Sequence, residues 1–375
     1  MSNMTGTGNK PKVLMITARA DYGGGPKHVY LLIKYLSDKI DFFAACPNDQ
    51  PYYKIFTELC GENNLYLIPH RKFSIGRLLG LKKFLHDKKI NLIHSHGKGA
   101  GAYGRLLSFL TGVKCIHTFH GIHINNYGSI KRTIYPMIER SLSRLTEKII
   151  SVSESEKLKL MDLSLAKPGQ IEVIYNGVVL PDQTVGEGVL NKPILRIASI
   201  SRFDYAKNSM LILAVFKELK KLKSSDKIRI DMIGSGPEEI NIKKAVEEAE
   251  LSDKINFTGF CDDPSRYLIN SFCYISTSRW EGLPLGVMES MSYGLPVIVT
   301  NVIGNNDLIK NGVNGLLYDI DKPGDAAQLI MKLANDASLW KSLSKNARKT
   351  ISDNYTVDKM AEKTFDLYLR VAQQS

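Results

Sequence analysis

Short apolar runs alternate with helix-patterned stretches along nearly the whole chain, and strands separated by helices demand parallel βαβ units. In the first half the runs are Lys12 to Ala18, Phe42 to Cys46, Leu65 to Ile68, Asn91 to Ser95, Lys114 to Thr118, Ile149 to Val152 and Ile171 to Tyr175, with a helical pattern from Lys27 to Leu36. A second series runs through Ile194 to Ile200, Ile228 to Ile233, Ile255 to Thr258, Cys273 to Ser276, Pro296 to Thr300 and Gly315 to Tyr318. Between the two, LPDQTVGEGVLNKP from Leu180 to Pro193 interrupts the pattern with proline, glycine and polar residues, as a linker does. At 375 residues the chain exceeds one ordinary core. The pattern therefore predicts two doubly wound α/β domains around a cleft: residues 1–180, a linker over 181–193, and residues 194–356, followed by a last helical stretch within 357–375.

Charge is distributed unevenly. Residues 1–180 hold 25 Lys/Arg against 13 Asp/Glu, residues 181–375 hold 25 against 25, and the whole net charge of +12 lies in the first half. All eight histidines lie there too. Such asymmetry points to an anionic partner for one half only. Nucleic acid is not expected, because no RNP, zinc-finger or helix-turn-helix pattern accompanies the charge. The basic stretch Arg71 to Ile90 reads in two ways: as an amphipathic helix whose Leu78, Leu81, Phe84 and Leu85 cover the sheet, or as a helix lying on an anionic membrane surface. Five cysteines without a CxxC pair argue against a disulfide framework or zinc knuckle. No run reaches the roughly 20 apolar residues of a membrane helix, and the polar start lacks the apolar region of a secretory leader. A cytoplasmic protein, peripheral at most on the inner face of the membrane, is the expectation.

Residues able to carry chemistry collect where strands end, which is where open parallel sheets bind ligands. In Trp280 to Leu317, Glu281 sits in a loop and Glu289 in the helix after it, and Pro284 places the helix start near Leu285 with free amides toward the loop. Such an end suits an anionic ligand bearing hydroxyls. Arg202 and Lys207, at the end of another strand, can converge on a diphosphate, the guanidinium as a fork and the ammonium as a point charge. Gly23, Gly24 and Gly25, with Pro26 opening the next helix, admit close backbone approach, but they form neither GxGxxG nor a P-loop. An NAD-dependent oxidoreductase is disfavoured on that ground. His94 and His96 have strand spacing, with His120 and His123 after the next strand, but no carboxylate or cysteine completes a metal-ligand spacing, and no metal or other cofactor is expected.

Three of these stretches carry a family resemblance: E-G-x-P-x-x-x-x-E from Glu281 to Glu289, strand-R-x-x-x-x-K at Arg202 and Lys207, and G-x-G-P-E from Gly234 to Glu238. Together they resemble the retaining glycosyltransferases of family 4 that build bacterial surface polysaccharides, which have the GT-B fold of two Rossmann-like domains facing a central cleft. The resemblance implies that a nucleotide-sugar, UDP- or GDP-linked, is substrate rather than cofactor. Its sugar would pass to a hydroxyl of a glycan or polyprenyl-diphosphate-linked glycan, without a metal, as in lipopolysaccharide or capsule assembly. It implies donor contacts from Gly24, Gly25, Arg202, Lys207, Gly234, Gly236, Phe260, Glu281, Gly282, Leu283, Pro284, Leu285 and Glu289. His120, Arg202, Lys207 and Glu281 stand closest to the chemistry, and His96, His120 and Asn176 on the acceptor side. The last helix is implied to pack back on the first domain. The chain has Gly304-Asn305-Asn306 where the family more often has G-G-x-x-E. Two rival readings remain open, a GT-B nucleotide-sugar epimerase and a catalytically silent glycan-binding scaffold.

Overall fold

The computed structural model describes residues 10–122, 128–223 and 225–373. They form two compact units, one reaching to Tyr175 and resuming at Val357, the other spanning Asn176–Thr356. In the first, the elements alternate as β1 (Lys12–Thr17), α1 (Gly24–Leu36), β2 (Asp41–Cys46), α2 (Tyr52–Cys60), β3 (Leu65–Leu67), α3 (Ile75–Lys88), β4 (Leu92–His96), α4 (Gly97–Thr111), β5 (Cys115–Thr118), α5 (Ser129–Ser143), β6 (Lys148–Ser151), α6 (Glu154–Asp162) and β7 (Ile171–Val173). The sheet order is β3-β2-β1-β4-β5-β6-β7 with parallel ladders, so Met15 lies opposite both Ala44 and His94. Every residue of β4 is buried, as befits a parallel strand covered on both faces.

Because successive strand residues face opposite sides, the first unit has two distinct layers. Val13, Met15 and Leu92 face α1 and α2, whereas Leu14, Ile93 and Cys115 face α3 and α4. His117 lies opposite Ile149 in the ladder, which puts Phe119, Ile149 and Leu160 under α5 and α6 on the same side as α4. The apolar face foreseen for the basic stretch points inward, with Leu78, Leu81 and Leu85 buried beneath α3. Between α4 and α5 lies a sealed ion pair: Arg105 Nη1 is 2.7 Å from Glu139 Oε2, with side-chain exposures of 0% and 3%.

The second unit follows the same plan with β8 (Leu195–Ile200), α7 (Met210–Leu219), β9 (Ile228–Ile233), α8 (Glu239–Glu248), β10 (Ile255–Gly259), α9 (Ser265–Leu268), β11 (Cys273–Ser276), α10 (Leu285–Ser292), β12 (Val297–Thr300), α11 (Asn305–Leu308), β13 (Leu316–Tyr318), α12 (Pro323–Asn335) and α13 (Ala337–Asn354). Its sheet order is β10-β9-β8-β11-β12-β13, so the winding reverses between β8 and β11. Residues 181–193 pack on this unit rather than hanging free: Val185 N donates to Tyr293 O at 2.9 Å, and Val189 is buried. The last helix, α14 (Val357–Gln373), belongs to the first unit. Its helical stripe of Val357, Met360, Thr364, Leu367, Tyr368 and Val371 is buried, and the apolar members join the α1 and α2 core. All five cysteines are free thiols.

The buried ion pair gives a test of the α4–α5 packing. Glu139→Gln leaves the Arg105 charge without its counter-ion, a loss of about 3–5 kcal/mol, whereas replacing both residues by apolar ones of similar volume recovers most of it. Denaturant unfolding of the two variants, with hydrogen exchange in α4 and α5 as the local readout, checks both halves of this expectation.

Candidate active site

In the second unit the loops after β8 and β11 meet where the winding reverses, the position at which such sheets bind ligands. Lys207, in the first loop, extends its Nζ to Glu281 Oε1 in the second at 2.5 Å, and Ser278 Oγ donates to the same oxygen at 2.6 Å. The ammonium is 30% exposed and the carboxylate 11%, so one partner is presented to solvent and the other is largely enclosed. Arg202 does not join this pair. Its Nε donates to Asp204 Oδ2 at 2.5 Å, and the other carboxylate oxygen, Oδ1, accepts from the Lys207 amide at 3.1 Å. Asp204 thus holds the Arg202 side chain and fixes the backbone of Lys207. Below the pair is a small cavity of about 20 Å³, lined in part by Ser199, Tyr274, Ser278, Glu281 and Gly286. Burial raises the Tyr274 pKa, and the charges of Glu281 and Glu289 raise it further, while its hydroxyl donates to Ile200 O at 3.0 Å.

Backbone contacts hold these loops in register. Gly234 has φ of 138°, and a Cβ there would lie 2.0 Å from Ser201 O; a Cβ on Gly236 would meet the Phe203 backbone at 2.4 Å. The G-S-G-P-E turn therefore braces the loop that carries Arg202. On the other side a Cβ on Gly304 would strike the Glu281 carbonyl oxygen at 2.6 Å, and Glu281 N donates to Ile303 O at 3.0 Å. Asn305 is buried and donates from Nδ2 to Thr300 O at 2.9 Å. Helix α10 begins at Leu285 directly after Pro284, a position that tolerates proline, with Glu289 on its second turn and half-buried. Leu283 and Pro284 are buried, Gly282 is half-buried, and Phe260 beyond β10 is 38% exposed. Asn176, expected on the acceptor side, lies in the second unit and donates from Nδ2 to Leu283 O at 3.2 Å.

The first unit gathers histidines at the ends of β4 and β5. His96 Nδ1 and His120 Nε2 are 3.2 Å apart, and the His28 ring centroid lies 4.7 Å from that of His120. Ring nitrogens of His28, His96 and His120 all fall within 4.8 Å of one another, as do ligand atoms of Asp21, Asp49 and His70, so either set can in principle hold a cation. His123 lies outside the described residues. His94 is engaged otherwise, with Nδ1 2.5 Å from Tyr368 Oη of α14 and Nε2 2.8 Å from Thr118 Oγ1. Gly24 and Gly25 form the first turn of α1, and Gly25 faces His120 Cδ2 with room for a methyl group. Burial lowers the pKa values of His94, His96, His117 and His120 well below the ordinary histidine range, and neighbouring charges lower them further.

Sequence reasoning placed Arg202, Lys207, Glu281 and His120 at strand ends but missed Asp204, Ser278 and His28. Asp204 left a signal, an acid two residues after the arginine and three before Lys207, where its side chain can cap the Lys207 amide. Ser278 stands three residues before Glu281 in the same loop, a local spacing that went unread, whereas His28 left no signal, since its approach to His120 depends on which strands are neighbours.

The arrangement of two doubly wound parallel units, each with its loops at a winding reversal, is that of the GT-B fold. Among solved structures, HepE from Anabaena in complex with UDP and glucose superposes with a TM-score of 0.83 at 16% identity, covering 95% of this chain and 99% of that one. Sucrose-phosphate synthase from Thermosynechococcus elongatus gives 0.82 at 20% identity, covering 98% and 100%. Residues 22–180 match the family described as Glycosyltransferase Family 4, and residues 187–350 match Glycosyl transferases group 1. The chain belongs to the family 4 glycosyltransferases. It is 27% identical over 307 residues to the UDP-Gal:alpha-D-GlcNAc-diphosphoundecaprenol alpha-1,3-galactosyltransferase of Escherichia coli, covering 78% of each chain. It is 22% identical to the capsular polysaccharide biosynthesis glycosyltransferase CapM of Staphylococcus aureus, covering 80% of this chain and 81% of that one.

The histidine cluster has a pH signature. Because the folded pKa values of these four bases are depressed, the unfolded chain takes up protons first as pH falls below about 6.5, so stability is complete above that value and declines below it. The melting temperature should drop between about pH 7.5 and about pH 5.5, and imidazole proton resonances of these four residues should stay at their neutral positions across that interval. Four normally titrating resonances would contradict the assignment.

Proposed function

We propose that this enzyme is a retaining, metal-independent glycosyltransferase that moves a sugar from a UDP- or GDP-linked donor to a lipid-linked diphosphate glycan during surface polysaccharide assembly. The observation that carries the reading is the pair of cations at the β8–β11 reversal, each oriented by its own carboxylate: Lys207 by Glu281 and Arg202 by Asp204. A donor diphosphate arriving there meets charges already aimed and partly exposed. Stabilisation of the departing nucleotide then requires little rearrangement. These cations take the place that a divalent ion holds in metal-dependent transfer. The name of the E. coli galactosyltransferase supports the acceptor class, that of CapM supports surface polysaccharide assembly, and the UDP complex of HepE supports the donor class.

In this reading the second unit binds the donor. Glu281 orients the sugar hydroxyls, Glu289 bonds the ribose, the backbone at Gly234 and Gly236 approaches the nucleotide, and Phe260 contacts the base. Gly282, Leu283, Pro284 and Leu285 present the amides at the start of α10, and Asn176 secures that loop through the Leu283 carbonyl. The first unit supplies His96 and His120 toward the acceptor, with Gly24 and Gly25 giving close backbone approach. Neutral His120 can hydrogen-bond a sugar hydroxyl. The bond from the anomeric carbon to the diphosphate oxygen breaks while the acceptor oxygen bonds on the same face. The acceptor proton passes to the departing phosphate oxygen.

Purified protein tested against a panel of nucleotide-sugars should hydrolyse one slowly without acceptor and transfer it with one. Interconversion of donor isomers would establish an epimerase, and absence of donor binding would leave a silent scaffold. Arg202→Ala and Lys207→Ala should each lower kcat about 100-fold or more. Lys207→Ala and Glu281→Ala share one interaction, so the double variant should lose little more than the worse single one; additive losses would separate their roles. Activity should survive EDTA, and loss on chelation restored by one divalent ion would overturn metal independence.

A further inference from the structure

We propose that the outer face of the α3, α4 and α5 layer in the first unit seats this protein on an anionic lipid bilayer, an inference that rests on the lipid-linked acceptor proposed above. Large apolar side chains stand in solvent along this one layer: Ile75 at 69% and Leu79 at 57% on α3, Phe109 at 71% on α4, and Ile134, Met137 and Ile138 at 48%, 59% and 52% on α5. Helix α6, beside them, adds Leu158. The opposite layer of α1, α2 and α14 exposes Leu59 alone, at 38%, among its described residues. Both layers come from the same chain and solvent, so the difference is a property of one face. A core cannot use these groups, because Leu78, Leu81 and Leu85 already fill the inner side of α3.

Charge selects the occupant. Along α3, α4 and α5 the acidic residues are Asp87 and Glu139, and Glu139 is sealed against Arg105. Exposed Arg77, Lys82 and Lys83 on α3, and Arg132, Arg140 and Arg144 on and just beyond α5, share these helices with the apolar groups. Exposed apolar side chains and cations on the same helices match a bilayer carrying anionic headgroups, where the first enter the acyl boundary and the second meet phosphate. Helix α5 is held for this orientation. Its inner side is fixed by the Glu139 ion pair and by Tyr135 in the core, while Ile134, Met137 and Ile138 line one shallow depression on the outside with Ser141 and Leu142. No helix among the described residues is long and apolar enough to cross a membrane, so the contact lies in the interface plane.

The test is co-sedimentation of the full-length protein with vesicles of phosphatidylethanolamine and phosphatidylglycerol, and with vesicles of phosphatidylcholine. Wild type should bind the anionic vesicles, weaken as salt rises, and bind the neutral ones at least about tenfold less. Ile134→Ser/Met137→Ser/Ile138→Ser should bind anionic vesicles at least about tenfold more weakly, while keeping its melting temperature and its transfer to a short-chain, micelle-free diphosphate acceptor; Leu59→Ser on the opposite layer should bind as wild type. A separate Arg132→Gln/Arg144→Gln variant tests the charge without altering the apolar groups. Equal binding by wild type and the triple variant, or equal binding to neutral and anionic vesicles, overturns the proposal. So does a wild-type dimer that the triple variant converts to monomer with vesicle binding absent from both, since the face then joins two copies. Vesicle binding lost as stated, with no transfer to any lipid diphosphate, sustains the docking face and refutes the acceptor reading instead.

Discussion

The pairing of Lys207 with Glu281 depends on strand order, and most of the second unit serves to keep it. The two residues are 74 positions apart and meet only because β8 and β11 are neighbours at the reversal of winding. Their loops have little freedom. The Arg202 loop is pressed by Gly234 and Gly236 from β9, and the Glu281 loop by Gly304 from β12, at separations that leave no room for a side chain. Backbone packing of this kind transmits rigidity more reliably than side-chain contact does, because its geometry has no rotamers to change. A carboxylate that is 11% exposed also needs its partners: Lys207 and Ser278 offset the desolvation that Glu281 would otherwise suffer.

The first unit solves a different problem with similar means. His96 and His120 sit at strand ends and are kept neutral by burial, so they act there as donors and acceptors of hydrogen bonds rather than as charges. His94 ties β4 to α14 through Tyr368, which makes the last helix part of the floor beneath His96 rather than an appendage. His120 has φ of 59°, an uncommon conformation for a residue with a side chain, and it stands where β5 gives way to the loop. Strain at such a position is tolerated when the surroundings over-determine it. Here Gly121 N donates to Glu156 Oε1 at 2.5 Å directly after it.

Much of this was legible in the chain, and the limits have physical causes. Alternation of apolar runs located the strands, because a buried parallel strand needs continuous apolar residues, and Pro284 located the start of α10. Arg202, Lys207 and Glu281 were found because strand ends and proline or glycine turns are local signals. Their partners were not found, since the pairing of Lys207 with Glu281 and the approach of His28 to His120 depend on strand order, which alternation does not encode. The glycines of G-S-G-P-E have a structural reason, contact with Ser201 and Phe203, that the sequence pattern alone does not separate from ligand approach. Polarity made residues 181–193 read as a linker, yet polar chain packs readily when its amides find carbonyl partners, as Val185 does at Tyr293.

The two halves of the chain place their charges differently. In the second unit the site cations are matched one to one by carboxylates, consistent with the even balance of residues 181–375, and the diphosphate of the proposed donor would meet them through directed hydrogen bonds at short range. Such a site would discriminate by geometry with little effect of salt, because its charges sit closer together than the screening length of about 8 Å at physiological ionic strength. In the first unit the surplus cations are spread over exposed helices with few acids among them, which produces a diffuse field suited to an extended anionic surface and sensitive to salt. Under the two proposals above, one chain carries two kinds of anion recognition, and keeping them apart accounts for the uneven distribution of lysine and arginine.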